Sequence, residues 1–310
     1  MSLEQALHLD DVVPSPSAVT IGNFDGVHRG HQVLLRRTVD AARHRDVRSV
    51  AVTFDPHPAA VLRPGSEPLA LQSLDDRIET MYETGVDQVL VLPFSTELAS
   101  MEPHVFLEKV LVDRLEAVKV IVGTNFRFGH KALGDVVTLN EAGAVYGFEI
   151  EAVTLLDVEG RPISSSEIRD RLGVGDVEWS AAALGRPHRV HGPVVAGEGR
   201  GRTIGVPTAN VAPPEGLVVP AHGVYAGHAE RDGKRWPCVT NVGTRPTFDG
   251  RGVLVEAHLL DAEVDLYGEP LGITFEHHLR AERRFEGPDE LVTQIRRDIE
   301  EARRRLGIAS

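Results

Sequence analysis

Two histidines stand in a glycine-rich stretch, Gly22–His31 (GNFDGVHRGH), directly after the apolar run Ala18–Ile21. A β-branched run that leads into glycines and then an amphipathic segment predicts a strand, a tight turn and a helix. His28 and His31 are three residues apart at the start of that helix, so their side chains share one face. The free N–H groups of a helix N-terminus suit a phosphate. Two imidazoles beside it can stabilise the charge that builds when the α-phosphorus of a nucleoside triphosphate is attacked, so the stretch indicates nucleotidyl transfer.

A second dense cluster is Gly197–Asn210, GEGRGRTIGVPTAN. Its glycines, whose backbone amides can wrap phosphate oxygens, are Gly197, Gly199, Gly201 and Gly205. Arg200 and Arg202 add positive charge, although the GxxxxGK[ST] pattern of a P-loop is absent. Thr208 and Asn210 place two oxygen ligands on one face of an extended segment, which suits a Mg²⁺ ion shared with ATP. The cluster indicates a second phosphate site, separate from the first.

Alternating elements in the first half of the chain must position the histidine pair. Strand-like runs are predicted at Val47–Phe54, Val86–Phe94, Val118–Gly123 and Phe148–Leu156. Helical patterns are predicted at His31–His44, Leu74–Thr84, Pro103–Leu115, Asp135–Tyr146, Ser166–Leu172 and Asp176–Leu184. Strands separated by helices predict a Rossmann-like α/β domain with a parallel sheet. Ligands bind beyond the carboxyl ends of such strands, where Gly22–His31 would lie.

The pattern changes at Gly185–Pro187, which predicts a domain boundary there, with domains 1–185 and 186–310. Short strand-like runs then follow at His188–Val195, Val224–Glu230, Arg235–Val242, Leu254–Leu260 and Leu271–His278. Asp232-Gly233 between two of them is a strong hairpin signal. Such strands predict a small antiparallel barrel or sandwich. The tail Pro288–Leu306 is amphipathic, so we expect a terminal helix packed on the barrel.

The composition of the chain excludes several classes of function. The chain has 310 residues, of which 33 are basic and 46 acidic, for a net charge of −13. This charge argues against nucleic acid or an anionic membrane surface as a partner. The single cysteine, Cys238, excludes an internal disulfide. With no signal-like N-terminus and no apolar run of about 20 residues, we expect a soluble cytoplasmic protein. We also expect small-molecule partners and a monomer or weak homo-oligomer, which these two observations do not determine.

The motifs resemble those of one family. GNFDGVHRGH is similar to the adenylyltransferase motif of the prokaryotic bifunctional riboflavin kinase/FMN adenylyltransferases, or FAD synthetases. Three later segments resemble that family's further motifs in order and spacing: FDPHP (Phe54–Pro58), VGTNFRFG (Val122–Gly129) and SSSEIR (Ser164–Arg169). In the second half, PTAN, NVGTRPTF (Asn241–Phe248) and DLYG (Asp265–Gly268) resemble the kinase module. The resemblance covers nearly the whole chain.

In the first half, the resemblance implies adenylylation of FMN by ATP, with FAD and pyrophosphate as products. His28 and His31 would stabilise the charge at the α-phosphorus, and Arg169 would add a fixed cation. The expected nucleotide-binding residues are Gly22, Asn23, Phe24, Gly30, Ser164, Ser165 and Ser166. The expected flavin-binding residues are Asn125, Phe126, Phe128, Phe54 and His57. Relatives often carry threonine at Ser166 and aspartate at Asn125, and both positions here keep a polar group.

In the second half, the resemblance implies ATP-dependent phosphorylation of riboflavin to FMN. Thr208 and Asn210 would bind Mg²⁺-ATP, with the glycines and arginines of the Gly197–Asn210 cluster at the phosphates. Glu256 matches the family's carboxylate that accepts the proton of the riboflavin 5′-hydroxyl. Thr240 stands where a smaller residue is common.

Four of these residues also have an interpretation that is purely structural. Phe126 and Phe128 are compatible with core packing, Glu256 with a solvated strand, and His57 with loop structure. Three rival functions also remain: one activity retained with the other domain as a binding module; nucleotidyl transfer to another acceptor, such as a phosphoalcohol; or a non-enzymatic flavin- or nucleic-acid-binding protein.

Overall fold

The computed structural model describes residues 8–154, 156–197, 205–247, 250–262 and 264–308. The chain divides into two compact units, Met1–Ser165 and Ser166–Ser310. The predicted domain boundary near residue 185 stays a prediction.

A parallel sheet forms the centre of the first unit. Within the described residues it has five strands: β1 (Ser17–Ile21), β2 (Arg48–Asp55), β3 (Gln88–Pro93), β4 (Ala117–Gly123) and β5 (Glu149–Val153). Their order is β3-β2-β1-β4-β5, and every neighbouring pair is parallel. All of β1 is buried because it lies between two strands and is covered on both faces, as expected for a near-continuous apolar strand. The predicted parallel α/β fold is confirmed.

Helices cover both faces of this sheet. They are α1 (Arg29–Arg45), α2 (Pro58–Leu62), α3 (Leu74–Tyr82), α4 (Thr96–Ala99), α5 (Pro103–Phe106) and α6 (Val136–Tyr146). The helix predicted over Pro103–Leu115 begins as α5 and continues in wider π-helical turns, Leu107–Val112. One core packs Leu107 and Leu111 against β1 and β4. Another packs Leu35 of α1 and Ile78 of α3 against β2 and β3.

The described part of the second unit has two short helices, a closed antiparallel barrel and a long terminal helix. The helices are α7 (Ser165–Gly173), which starts at the junction of the two units, and α8 (Val177–Leu184). A short strand pair at the end of the first unit, β6 (Asp157–Val158) and β7 (Arg161–Pro162), precedes α7. The remaining strands are β8 (His188–Val195), β9 (Ala209–Val211), β10 (Gly223–Arg231), β11 (Lys234–Thr247), β12 (Gly250–Leu259), β13 (Pro270–Phe275) and β14 (His277–Arg280).

The barrel closes through the pairing of β10 with β11. Among the described residues, six strands run in the order β11-β12-β9-β8-β13-β10 and return to β11, while β14 adds to β10. The β10–β11 hairpin turns at Asp232 and Gly233, whose φ angles are +49° and +74°. Two left-handed residues in a row are what a tight type I′ hairpin requires, so the predicted turn is confirmed.

The tail forms the predicted amphipathic helix, α9 (Pro288–Leu306), and packs on β10, β11 and β14. Ala302 is fully buried beside Val224 and Val239 of the barrel. Arg280 of β14 makes a bidentate ion pair with Asp298 of α9, with the shortest N–O distance at 2.8 Å. In the described ranges, no helix is long and apolar enough to span a membrane.

Candidate active sites

The turn after β1 is held from beneath by two buried side chains. Phe24, Gly26 and Val27 have φ angles of +49°, +79° and +38°. A β-branched residue is rare in this region, so surrounding structure must impose it. The side chains of Phe24 and Val27 are fully buried in the core with Leu35, and this anchoring supplies the constraint. Phe24, predicted to bind nucleotide, therefore packs its ring below the turn.

His28 is the N-cap of α1, as the sequence placed it. Its Nδ1 accepts the backbone N–H of His31 at 3.3 Å, so the proton of a neutral His28 lies on Nε2. The two imidazole rings stack with centroids 3.6 Å apart and planes 14° from parallel. A Cβ at Gly30 would lie 3.1 Å from His28 Cε1, so this glycine leaves room for the ring. The predicted shared face is present in the structure.

The surroundings of His31 favour its neutral form. Burial lowers its pKa well below the usual value, and the nearby His28 and Arg77 lower it further. Its ring meets the edge of Phe24 at a centroid distance of 5.1 Å. Within the described part of the chain, His31 Nδ1 is buried without a hydrogen-bond partner. The stack thus presents a neutral imidazole and a helix N-terminus, both suited to an approaching anion.

Ser165, a predicted phosphate-binding serine, is hydrogen-bonded to the turn. Its Oγ donates to the Asp25 carbonyl at 2.9 Å. Ser164 precedes it and is partly buried. Ser166 is exposed and Arg169 is partly buried, and both lie on α7 in the second unit. Roles for these residues at the ATP phosphates stay predictions.

The segment after β2 lies beside the turn after β1 because the two strands are neighbours. His57 is the N-cap of α2, and its Nδ1 accepts the N–H of Ala59 at 3.1 Å. Its Nε2 lies 3.5 Å from the Asn23 side-chain amide. The ring of Phe54 is partly buried and meets Phe94 edge-on at 5.7 Å. The residues predicted to bind flavin and nucleotide here are therefore adjacent.

The segment after β4 contains both surface and core residues. Asn125 is exposed and Phe126 is partly buried, whereas Phe128 is only 8% exposed. The rings of Phe126 and Phe128 stack at 5.5 Å, and Phe128 also packs on Phe106 at 6.0 Å. Asn125 and Phe126 can thus offer polar and aromatic surface to a flavin, while Phe128 supports them from the core.

Sequence reasoning missed two buried charged residues under this site. Asp25 accepts the N–H of Leu71 at 2.9 Å, which ties the turn to the segment before α3. Arg77 of α3 donates to the carbonyls of Asn23 and Phe54. The available signal was helical phase: Arg77 lies on the same stripe as Leu74, Ile78 and Met81, where an apolar side chain is expected.

The second candidate site is a row of polar residues across three barrel strands. Glu256 of β12 lies directly opposite Asn210 of β9 on one side and Asn241 of β11 on the other. Directly opposite residues in antiparallel strands project to the same face of the sheet. Val255 and Ala257 are fully buried on the alternate face, whereas Glu256 is partly exposed. The structure thus brings together two predicted residues that are 46 positions apart.

The amide of Asn210 lies against a glycine backbone. Asn210 is 6% exposed, and a Cβ at Gly197 would lie 2.3 Å from its Nδ2. Thr208 is partly buried two residues before it in extended chain. Gly205 is exposed with a φ of +76°. Gly199, Arg200, Gly201 and Arg202 lie outside the described residues, so their roles stay predictions.

The donor set at Thr208 and Asn210 fits magnesium. Among the residues that the structure describes, no group of three or more His, Cys, Asp or Glu side chains could hold a metal ion. Mg²⁺ does not require such a cage, because it is usually held by one or two protein oxygens together with substrate phosphates and water. The Asn210 side chain, beside a carboxylate and against a glycine backbone, is compatible with that mode.

A parallel α/β unit and a closed antiparallel barrel, each with a candidate phosphate site, define a two-module transferase. Residues 11–167 match the sequence family described as FAD synthetase, and residues 184–306 match the family described as riboflavin kinase. The chain therefore belongs to the family of bifunctional riboflavin kinase/FMN adenylyltransferases.

Relatives described by that name match along nearly the whole chain. One from Pseudomonas fluorescens is 39% identical, over 98% of this chain and 97% of its own. One from Escherichia coli is 38% identical, over 99% of both chains. A crystal structure described as a macrolide-efflux protein from Streptococcus pneumoniae has a TM-score of 0.89 and 30% identity. It covers 96% of this chain and 99% of its own, and the two chains share one fold.

Proposed function

We propose that this protein phosphorylates riboflavin to FMN and then transfers AMP from ATP to FMN, which yields FAD and pyrophosphate. Both family assignments support the proposal, because each half of the chain matches one of the two activities. The structural observation that carries it is that each unit has its own polar site: the stacked pair His28 and His31, and the row Asn210–Glu256–Asn241.

In the first unit, we assign charge stabilisation at the α-phosphorus to the histidine pair. His28 Nδ1 accepts the N–H of His31, so a proton on the ring lies on Nε2, and we assign this N–H to a phosphate oxygen when ATP is bound. The N-terminal N–H groups of α1 add a partial positive charge to the same side. The FMN phosphate would attack in line while pyrophosphate leaves, with no covalent enzyme intermediate, so catalysis is positioning and electrostatics.

In this unit, the segments after β2 and β4 carry the residues that we assign to flavin binding. We propose that Asn125 and Phe126 contact the isoalloxazine ring, by hydrogen bonding and stacking. Phe54 and His57 would border the same space, and Phe128 would hold Phe126 in place through its stacked ring. Ser164 and Ser165 are proposed phosphate contacts of this unit, on the strength of the motif to which they belong. The phosphate roles predicted for Ser166 and Arg169, which belong to the second unit, stay predictions.

In the second unit, Glu256 is proposed as the base that accepts the proton of the riboflavin 5′-hydroxyl. Thr208 and Asn210 would hold Mg²⁺, which when bound neutralises charge on the ATP phosphates. Gly197 allows the chain to approach the Asn210 amide closely, which orients its oxygen donor. The cytoplasmic location, the lack of nucleic-acid partners and the monomeric or weakly oligomeric state stay predictions.

Chromatography of flavins tests the proposal directly. The purified protein is incubated with ATP, Mg²⁺ and either riboflavin or FMN, and the products are separated over time. We expect FMN and then FAD in the first tube, and FAD in the second. Conversion of FMN without conversion of riboflavin would show that the barrel is a binding module and has no kinase activity. No conversion in either tube would refute the flavin assignment. A parallel series with EDTA tests the magnesium assignment, and phosphorylation of riboflavin should stop.

A further inference from the structure

Arg77 is a buried cation in the first unit that the proposed chemistry does not use. Arg77 is only 6% exposed. It lies on α3, below the edge of the sheet where β1 and β2 end. Burial of a charged side chain is costly unless it is hydrogen-bonded or paired. The contacts of Arg77 therefore indicate which parts of the structure its side chain stabilises.

Those contacts are backbone carbonyls of two different segments. Nη1 donates to the carbonyl of Asn23 at 3.1 Å, and Nη2 donates to the carbonyl of Phe54 at 3.0 Å. Asn23 lies in the turn that leads to His28, and Phe54 lies three residues before His57. A guanidinium is a rigid planar fork, so it sets the separation of two acceptors that it bridges. The Thr53 hydroxyl donates to the same Asn23 carbonyl at 3.1 Å, which reinforces the link.

Two carboxylates, Asp25 and Asp55, act on the positive charge of Arg77. The Asp55 carboxylate lies 3.9 Å from Nη2, beyond hydrogen-bond distance. In the described ranges its Nε has no hydrogen-bond partner. The charge also acts on the histidine pair, since Arg77 and His28 both lower the pKa of His31 beyond the effect of burial. The positive charge of Arg77 therefore reaches the histidine pair, where we place the ATP phosphates.

We propose that Arg77 is a positioning residue for adenylyl transfer, which keeps the turn before His28 and the segment before His57 at a set separation and supplies positive charge beneath the ATP phosphates. The inference rests on the proposed adenylyltransferase activity. It separates two contributions of one side chain, namely the bridge between carbonyls and the charge, and two variants distinguish them.

Arg77→Gln removes the charge and most of the bridge, whereas Arg77→Lys keeps the charge but loses the planar fork. A misplacement of about 1 Å at a reacting centre can cost about 100-fold in rate, so we expect a loss of that order in kcat for FMN adenylylation with Arg77→Gln. Its KM for ATP should rise as well. With Arg77→Lys, kcat should fall by about 10-fold while the KM for ATP stays near the wild-type value, because the charge remains.

Two controls report on the rest of the molecule. Riboflavin phosphorylation, measured in the same preparations, should stay within about two-fold of wild type for both variants. Arg45→Gln removes an ion pair with Glu149 at the far end of α1 and should leave adenylylation unchanged.

NMR titration of the histidine rings adds a measurement that needs no substrate. In the free protein, Arg77→Gln should raise the pKa of His31 towards the ordinary value, whereas Arg77→Lys should leave it low. Wild-type kcat in a folded Arg77→Gln protein would overturn the proposal. If Arg77→Gln fails to fold, wild-type kcat in Arg77→Lys would overturn it equally. If the wild-type protein itself makes no FAD from FMN, adenylylation fails as the function, and the His31 titration still tests the charge that Arg77 places there.

Discussion

Replacement of Gly197 by alanine tests the kinase site at one defined contact. A Cβ at this position would lie 2.3 Å from Asn210 Nδ2 and 2.9 Å from its Oδ1, whereas ordinary contacts begin at 3.4 Å. The φ of Gly197 is not in the left-handed region, so the backbone itself accepts alanine. The Asn210 side chain must therefore shift by about 1 Å, and a displacement of that size at a reacting centre can cost about 100-fold in rate.

We expect Gly197→Ala to lower kcat/KM for riboflavin phosphorylation by about 100-fold, equivalent to about 2.7 kcal/mol of transition-state stabilisation. FMN adenylylation should be unchanged, and chromatography of both reactions in one preparation gives the comparison. Gly173→Ala is the matched control, because no heavy atom lies within 4 Å of a Cβ built there. Its kinase activity should equal that of the wild type.

A double variant isolates the contact. If Gly197→Ala acts by displacing Asn210, the loss in Gly197→Ala/Asn210→Ala should be no greater than the loss in Asn210→Ala alone. Additive losses would show that Gly197 acts elsewhere. Wild-type kinase kinetics in Gly197→Ala would refute the argument that the Asn210 amide needs its present position.

Three further outcomes are expected. His28→Ala should abolish FAD formation from FMN and spare riboflavin phosphorylation; loss of both activities in a folded protein would contradict the assignment. Glu256→Gln should lower the kinase rate by about 10²–10⁴-fold, the range for a general base, and unchanged turnover would exclude that role. Burial lowers the pKa of His188 to about 4, so the unfolded state takes up its proton first as the pH falls below about 6.5. Stability should then fall by up to about 3 kcal/mol towards pH 4. His188→Gln should reduce that slope in urea unfolding, and equal slopes would contradict it.

Much of the local structure followed from short-range pattern. The i, i+3 spacing of His28 and His31 predicted the stacked pair, because a helix start places such residues on one face. Asp232-Gly233 predicted the hairpin, because a tight two-residue turn needs two left-handed residues. The apolar stripe of the tail predicted α9 and its packing on the barrel.

Other features depended on how distant segments pair. Glu256 faces Asn210 only because β12 and β9 adopt one register, and a shift of one residue would turn Glu256 to the buried face. The position of Phe128 in the core follows from its packing on Phe106, and its sequence context fits surface and core equally. Strand order likewise decides that the segments after β1 and β2 are adjacent, which makes the Arg77 bridge possible.

The sequence by itself therefore determined the two fold classes, the family and the motifs that carry the chemistry, since these reside in periodicity and spacing over a few residues. Only the tertiary structure decided which motif residues face a site and which pack beneath it. Burial and strand register arise from contacts between segments tens of residues apart, and each such contact depends on all the others that close the same sheet.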